Sequence, residues 1–396
     1  MEENIKIINK KNPNFKSNKT LIDKCRINYN KFYYLDNQDE YESSYEVFCL
    51  KSIYNYFYII YPSIDEKLYI CKCDTITMEK NIIYSMNIKS KIIKIKYFYD
   101  PISFNEYLFI SKETVIEIYL IKSEKEYILI TTYNKKGKIG GYSLKIDFLP
   151  INDFEIFHNK YNKKNYLITY FFYSKGCGAK YKDIEICEFQ KNEMIQKKWF
   201  SFFCEWRSKF SIIYENKIEK KYFLITYFPN DKYPRLKKLE INDNLTQKYH
   251  YSDEIRLESD DIPFLFNNEL SEEEEKINCI FGIFEYRGAC EELLLFDSYF
   301  RLYLVDLIDA EIFPLYLRIC LNYYINSIIK YNEEYFILGC EDSILIYDYI
   351  NLSLISKYKL KDIKNNIISI KSLSIKEENI NYIFILDRDG CIAVLY

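Results

Sequence analysis

Short apolar runs alternate with short polar turns along most of this chain. One pattern recurs: an aromatic residue opens an apolar run, a polar turn follows, and an alternating strand ends near an aromatic residue or an aspartate. In four clear copies the first aromatic and a late strand residue lie twelve positions apart: Tyr58 and Ile70, Tyr107 and Tyr119, Tyr335 and Tyr347, and Tyr382 and Val394. Such runs, bounded by turn residues, predict β-hairpins.

Looser copies of the hairpin occupy 166–189, 222–241 and 277–297, which brings the number to seven. An apolar strand precedes each hairpin, at 44–50, 91–98, 153–158, 209–214, 262–266, 325–331 and 367–373. Strands that are apolar throughout are buried on both faces, as inner propeller strands are. The pattern therefore predicts an all-β fold, a β-propeller of about seven four-stranded blades, with six or eight as the alternatives.

Two further features bear on the blade count and on closure of the ring. The pair 127–133 and 139–148 is either the outer strand of blade two with an insertion or an eighth blade. The last blade lacks a fourth strand, so we predict that a strand around Phe32 (30–36) pairs with 367–396 and removes the open edges. We expect 1–28 to be a polar, partly disordered segment and 29–396 to be a single domain.

The segment GCEDSILIYDY resembles the repeat of the WD-repeat family. Its matching residues are Gly339, Asp342, Tyr347 and Asp348, and LDRDGCIAVL matches at Asp389 and Gly390. Neither tryptophan ends such a strand, and there is no Gly-His pair. The resemblance implies a propeller scaffold for protein contacts and no catalytic residue.

A second resemblance concerns Phe284, Arg287 and Gly288, which are similar to the Phe-Arg-Arg-Gly motif of phosphoinositide-binding propellers. Glu285 or Tyr286 replaces the first arginine of that motif. Losing one of two cations weakens phosphate binding, so Arg287 is a weak candidate for lipid binding.

Composition narrows the class of protein. With 396 residues and 48% hydrophobic content, the chain can form a large core without disulfides or metals. The net charge of −3 gives no reason to expect nucleic-acid binding. There is no apolar run of about 18 residues and no apolar core of a signal peptide near the start, which predicts neither a membrane span nor secretion. The twelve cysteines are scattered along the chain, as buried hydrophobic residues are. Together these observations predict a protein of the cytosol or nucleus.

Candidate chemistry is sparse. His158 and His250 lack metal-ligand spacing, and the short spacing of Cys71 and Cys73 on one strand face favours packing over a metal or redox pair. The glycines of 176–178 fit a loop, 135–141 lacks the strand–loop–helix context of a phosphate loop, and the turn carboxylates Asp342, Asp348, Asp387 and Asp389 fit backbone hydrogen bonding. The acidic run 267–276 is either a solvated loop within blade five or a contact for a basic partner.

These observations predict a non-catalytic scaffold that binds other proteins, either as a monomeric ring or within a hetero-complex. We expect no cofactor and no metal. The alternatives are a phosphoinositide-binding propeller at membrane surfaces and a propeller-fold hydrolase or lyase.

Overall fold

Every regular element described is a β-strand, and there are thirty of them. The computed structural model describes residues 18–22, 25–26, 30–32, 41–43, 48–53, 56–88, 90–135, 149, 151–174, 180–190, 192–203, 211–217, 219–228, 235–241, 254–256, 280–286, 292–297, 302–306, 311–315, 325–332, 334–340, 342–348, 353–360, 363, 367–375 and 380–395.

Most strands belong to four-stranded antiparallel sheets, of which the described residues contain seven. The first sheet is β4 (Cys49–Ile53), β5 (Tyr56–Pro62), β6 (Lys67–Asp74) and β7 (Lys80–Asn87). The second is β8 (Ile92–Asp100), β9 (Asn105–Lys112), β10 (Ile116–Ser123) and β11 (Glu126–Tyr133). The third is β12 (Ile151–Asn159), β13 (Lys164–Ser174), β14 (Lys180–Gln190) and β15 (Glu193–Phe203).

The remaining sheets follow the same order along the chain. The fourth is β16 (Ser211–Asn216), β17 (Lys221–Phe228), β18 (Arg235–Glu240) and β19 (Glu254–Arg256). The fifth is β20 (Ile280–Tyr286), β21 (Glu292–Asp297), β22 (Leu302–Asp306) and β23 (Glu311–Leu315). The sixth is β24 (Ile325–Lys330), β25 (Tyr335–Cys340), β26 (Ser343–Asp348) and β27 (Leu354–Lys359). The seventh is β28 (Ile367–Ile375), β29 (Ile380–Asp387), β30 (Ile392–Leu395) and, outermost, β1 (Asn18–Ile22).

The first strands of neighbouring sheets lie against one another. Contacts join β28 to β4, β4 to β8 and β8 to β12, and on the other side β16 to β20, β20 to β24 and β24 to β28. The sheets therefore surround a common centre with their first strands innermost, and each sheet presents a face to its neighbour.

Buried apolar side chains fill the spaces between sheets. The Phe57 ring of the first sheet lies 5.1 Å from Phe384 of the seventh, edge to face. The Tyr107 ring of the second lies 5.1 Å from Phe189 of the third, also edge to face. These strands are apolar on both faces because each face meets another sheet, which explains why the apolar runs were visible in the sequence.

The N-terminal strand that completes the last sheet is not the one predicted around Phe32. Strand β1 pairs with β30, with Asn18 opposite Leu395, and lies within the segment assigned to 1–28. Phe32 instead belongs to β2 (Asn30–Phe32), which pairs with β3 (Tyr41–Ser43) in a two-stranded sheet. Cys25, just after β1, donates its N–H to the Gly390 carbonyl at 2.9 Å, which fixes this end of the chain.

One strand assignment and the position of the acidic run also differ from the sequence prediction. In the fifth sheet Ile280–Tyr286 is the first strand rather than the second. The acidic run 267–276 lies outside the described residues, and the strands before and after it, β19 and β20, belong to different sheets rather than to one blade. Residues 127–133 lie in the outer strand of the second sheet, as one of the two alternatives held, whereas 139–148 lie outside the described residues.

Candidate functional site

One edge of the ring carries a recurring turn. At this edge the first strand of each sheet is followed by the second, and in the six sheets of consecutive strands the third is followed by the fourth. In the second, third and fourth sheets the first strand ends with Asp100, Asn159 or Asn216. Each side-chain oxygen accepts a backbone N–H two or three residues on, at 3.0, 3.0 and 2.9 Å. Because Asp and Asn form such turns readily, we call this edge the Asx face.

The same three turns end with a residue in the left-handed region. These residues are Phe104, Lys163 and Lys220, with φ of 58°, 56° and 57°. A long solvated lysine tolerates this position at modest cost, but a bulky aromatic residue there is a conformational outlier. Phe104 is also 75% exposed, so it gains little from burial within this chain.

Exposed large apolar side chains concentrate at the Asx face. Among the described residues eleven are exposed, and ten of these lie in an Asx-face turn or in the part of a strand next to it: Tyr56, Ile76, Ile82, Tyr99, Ile102, Phe104, Ile128, Leu129, Ile195 and Leu354. The exception is Ile64, in the turn between β5 and β6 on the opposite face. Eight of the ten belong to the first two sheets.

A groove of about 290 Å³ lies between the first and second sheets and reaches this surface. Tyr56, Tyr58 and Tyr127 line it, and Ile60 and Ile70 are among its buried apolar residues. Half of its twelve lining residues are charged or polar: Lys51, Lys72, Glu106, Lys122, Ser123 and Glu124.

Two ion pairs hold the groove in shape. The Lys72 ammonium lies 2.8 Å from Glu124 and 4.3 Å from the centroid of the Tyr56 ring. Tyr58 donates its hydroxyl to Glu124 at 2.5 Å, and Lys51 pairs with Glu106. The hydrogen bond from Lys72, followed by that from Tyr58, lowers the pKa of Glu124, whereas burial and then Glu124 raise the pKa of Tyr58. Each of these cations is already matched by a carboxylate of its own chain.

The residues that match the WD-repeat pattern in the sixth sheet lie away from this groove. Tyr347 is buried opposite Phe336, and the two rings stack at 5.2 Å. Asp342 accepts from the Ser343 hydroxyl at 2.8 Å and from Lys359 at 3.0 Å, and the Lys359 contact lowers its pKa. Asp348 is also buried, and Gly339 packs beneath side chains of β28.

The second match, in the seventh sheet, is a backbone-binding turn. The carboxylate of Asp387 accepts from the backbone N–H groups of Asp389 and Cys391 at 3.0 and 2.8 Å. Gly390 follows with φ 88°. These contacts organise a turn on the opposite face.

The other candidate residues from the sequence either pack within the fold or lie outside the described residues. His158 is half-buried, with its Nδ1 2.8 Å from Asn165, while Cys71 and Cys73 are fully buried in the core. Within the described part of the chain no three Asp, Glu, His or Cys side chains are arranged to hold a metal, and no helix there could span a membrane. The candidates outside the described residues are Arg287, His250, 176–178 and 267–276.

Sequence reasoning did not find Ile102 and Phe104. An apolar pair in a turn resembles the end of a strand, and nothing in its polarity marks it as exposed. The turns 100–104, 159–163 and 216–220 share an Asp or Asn at the strand end and a left-handed residue four positions later, but only the Asp or Asn is visible in the sequence.

Known structures resemble this chain in shape and little in sequence. BBS1N, in its crystal structure with ARL6DN, has a TM-score of 0.55 and 9% identity, over 89% of this chain and 92% of that one. Sqt1 of Saccharomyces cerevisiae has a TM-score of 0.52 and 7% identity, over 88% and 95%. The chain is a β-propeller. No family model and no curated protein sequence matches it, and identities this low establish the fold alone.

Proposed function

We propose that this propeller is a non-catalytic scaffold of the WD-repeat-like type, and that it binds other proteins through the Asx face of its first two sheets. The observation that carries the proposal is the one-sided exposure of large apolar side chains. Large apolar side chains that are exposed together on one face favour an interaction site.

Phe104 strengthens the proposal because it costs stability where it stands. The left-handed conformation disfavours it, and water surrounds most of its ring. Strained, exposed positions of this kind concentrate at functional sites. A bound partner would bury Phe104 together with Ile102.

The neighbouring structures agree with this kind of role. BBS1N was crystallised in complex with another protein, ARL6DN, so a propeller of similar shape supports protein binding. For this chain the partner is defined by the surface: it must cover apolar side chains on the first two sheets.

The described cysteines are free thiols, which favours the cytosol or nucleus as the compartment. A fluorescent fusion in the native cell tests that location.

The test uses two matched variants of the full chain. Ile102→Ser with Phe104→Asn removes both exposed apolar side chains of the second-sheet turn, which we call the apolar tip. Asn suits the left-handed position. Ile64→Ser removes an exposed apolar side chain, 62% accessible, from the opposite face. We expect proximity labelling in the native cell to enrich a set of proteins with the wild-type chain, to lose it with the double variant and to keep it with Ile64→Ser.

Stability separates a binding role from a folding role. Phe104→Asn alone should leave the free energy of unfolding, measured with urea, unchanged or raise it by up to about 0.5–1 kcal/mol, because it relieves conformational strain. Loss of partners together with unchanged or higher stability supports the proposal. Equal enrichment from the wild-type chain and the double variant, or no enrichment from either, refutes it.

A further inference from the structure

The turns between the first and second strands change from apolar to basic between the second sheet and the next two. The second-sheet turn, 100–105, has no lysine, whereas 159–164 and 216–221 carry six: Lys160, Lys163, Lys164, Lys217, Lys220 and Lys221. The apolar tip described above therefore has a cationic surface on one side.

Contacts between consecutive turns show that this is one continuous surface. A side-chain hydrogen bond from Asn165, just after the third-sheet turn, reaches Asp100 at the start of the second-sheet turn. Burial alone would raise the pKa of Asp100, but hydrogen bonds from Ser103, Asn165 and the backbone lower it. In the other direction Tyr161 donates its hydroxyl to Glu215 at 2.6 Å, which ties the third-sheet turn to the fourth.

Half of the six lysines have a carboxylate within their own surface. Lys160 pairs with Glu215 at 2.6 Å, Lys164 with Glu188 at 3.4 Å and Lys221 with Glu240 at 3.1 Å. The others, Lys163, Lys217 and Lys220, are exposed and have no ion pair with any described residue. Two of them, Lys163 and Lys220, occupy the left-handed ends of their turns, so cations without an ion pair to a described residue lie at the turn tips.

We propose that the partner's docking segment is an acidic polypeptide with interspersed aromatic or apolar side chains. Its apolar groups cover Ile102 and Phe104, and its carboxylates meet Lys163, Lys217 and Lys220. This inference rests on the proposed function and specifies the chemistry of the partner.

Two observations favour a polypeptide over an anionic membrane. The paired lysines of these turns already bind carboxylates of this chain, and Glu215 accepts hydrogen bonds from both Lys160 and Tyr161. An acidic side chain of a partner could bind the remaining lysines in the same way. The groove between the first two sheets, lined by Glu106 two residues beyond Phe104, also offers a recess that suits a side chain and not a flat bilayer surface.

The experiment measures binding of fluorescein-labelled glutamate–tyrosine copolymer to the full chain by polarisation, at low and at physiological salt. Poly-glutamate tests charge alone, and phosphatidylcholine vesicles containing phosphatidylserine test the membrane alternative. Lys163→Glu with Lys220→Glu reverses the charges at the two left-handed turn ends. Lys67→Glu with Arg388→Glu reverses the same number of charges at turns on the opposite face.

We expect the copolymer to bind more tightly than poly-glutamate and to weaken with added salt. Lys163→Glu with Lys220→Glu should weaken it at least about tenfold, Phe104→Asn should weaken it as well, and the opposite-face control should leave it unchanged. No copolymer binding, equal binding by all variants, or binding to vesicles in its place overturns the inference. Cellular partners lost with Ile102→Ser and Phe104→Asn but kept with Lys163→Glu and Lys220→Glu would overturn the acidic partner and leave the proposed function standing.

Discussion

Gly390 offers a test of how the ring is closed. It lies in the turn between β29 and β30 with φ 88°, and a Cβ added there would lie 2.1 Å from the carbonyl oxygen of Cys25. That oxygen belongs to backbone, which a side-chain rotation cannot move away. Gly390→Ala must therefore displace the segment that follows β1, or distort its own turn.

The expected cost adds two contributions. A side chain in the left-handed region costs about 1–2 kcal/mol, and separating the segments removes the 2.9 Å hydrogen bond from Cys25 to Gly390, worth about 0.5–1.5 kcal/mol. With some strain left in the turn the total is about 2–4 kcal/mol. That is a large share of the roughly 5–15 kcal/mol that stabilises a folded protein.

Urea unfolding gives the total, and hydrogen exchange of Asn18–Ile22 gives the location. The matched control is Gly339→Ala, where the atoms nearest to the new Cβ are side-chain atoms of Ile367 and Ile370, at 2.8 Å. These can adjust, so the control should cost about 1–2 kcal/mol and leave exchange of β1 slow. A Gly390→Ala chain within about 0.5 kcal/mol of wild type, or one in which β1 stays protected, would refute this account of closure.

Two further predictions concern acid and thiol chemistry. Lys72 and then Tyr58 hold the pKa of Glu124 below its ordinary value of 4.5, so its charge stabilises the fold above that value and stops doing so as the pH falls through the lowered pKa. Glu124→Gln should therefore flatten the dependence of the free energy of unfolding on pH below about pH 5. An unchanged pH dependence in that range would contradict the Lys72–Glu124 contact. Burial raises the pKa of Cys73 to about 12 and also raises that of Cys71, so neither should react with iodoacetamide at neutral pH until urea unfolds the chain; alkylation of Cys73 in the native protein, read by mass spectrometry, would contradict its position in the core.

The sequence predicted the parts of this fold that depend on burial. The hairpins opening at Tyr58, Tyr107 and Tyr382 were visible because their strands lie between two sheets. Their tyrosine hydroxyls also meet the following sheet around the ring: Tyr58 reaches Glu124, Tyr107 reaches Asn192 at 3.0 Å, and Tyr382 reaches the Thr75 carbonyl at 3.2 Å. A contact with the following sheet thus accounts for the aromatic residue at this position in these three hairpins.

The closing strand and the exposed apolar turn could not be predicted from the sequence, because neither has a distinctive residue composition. The closing strand, NKTLI, is short and half polar because it is an outer strand, and the more apolar stretch near Phe32 was the stronger pattern. The exposed pair Ile102 and Phe104 was missed for the reason opposite to that of the hairpins: nothing within the chain buries it. Propensity describes how residues fill a core and is silent on surfaces that await another molecule.

The pairing of β1 with β30 has a mechanical consequence. Asn18 and Leu395 are opposite one another at the same end of this antiparallel pair, so a force that draws the two ends apart loads its hydrogen bonds in succession and not all at once. The pair would open like a zip, at low force, while the six sheets of consecutive strands stayed folded. Tension between the two ends would thus strip the outermost strand from the seventh sheet before any other sheet was lost.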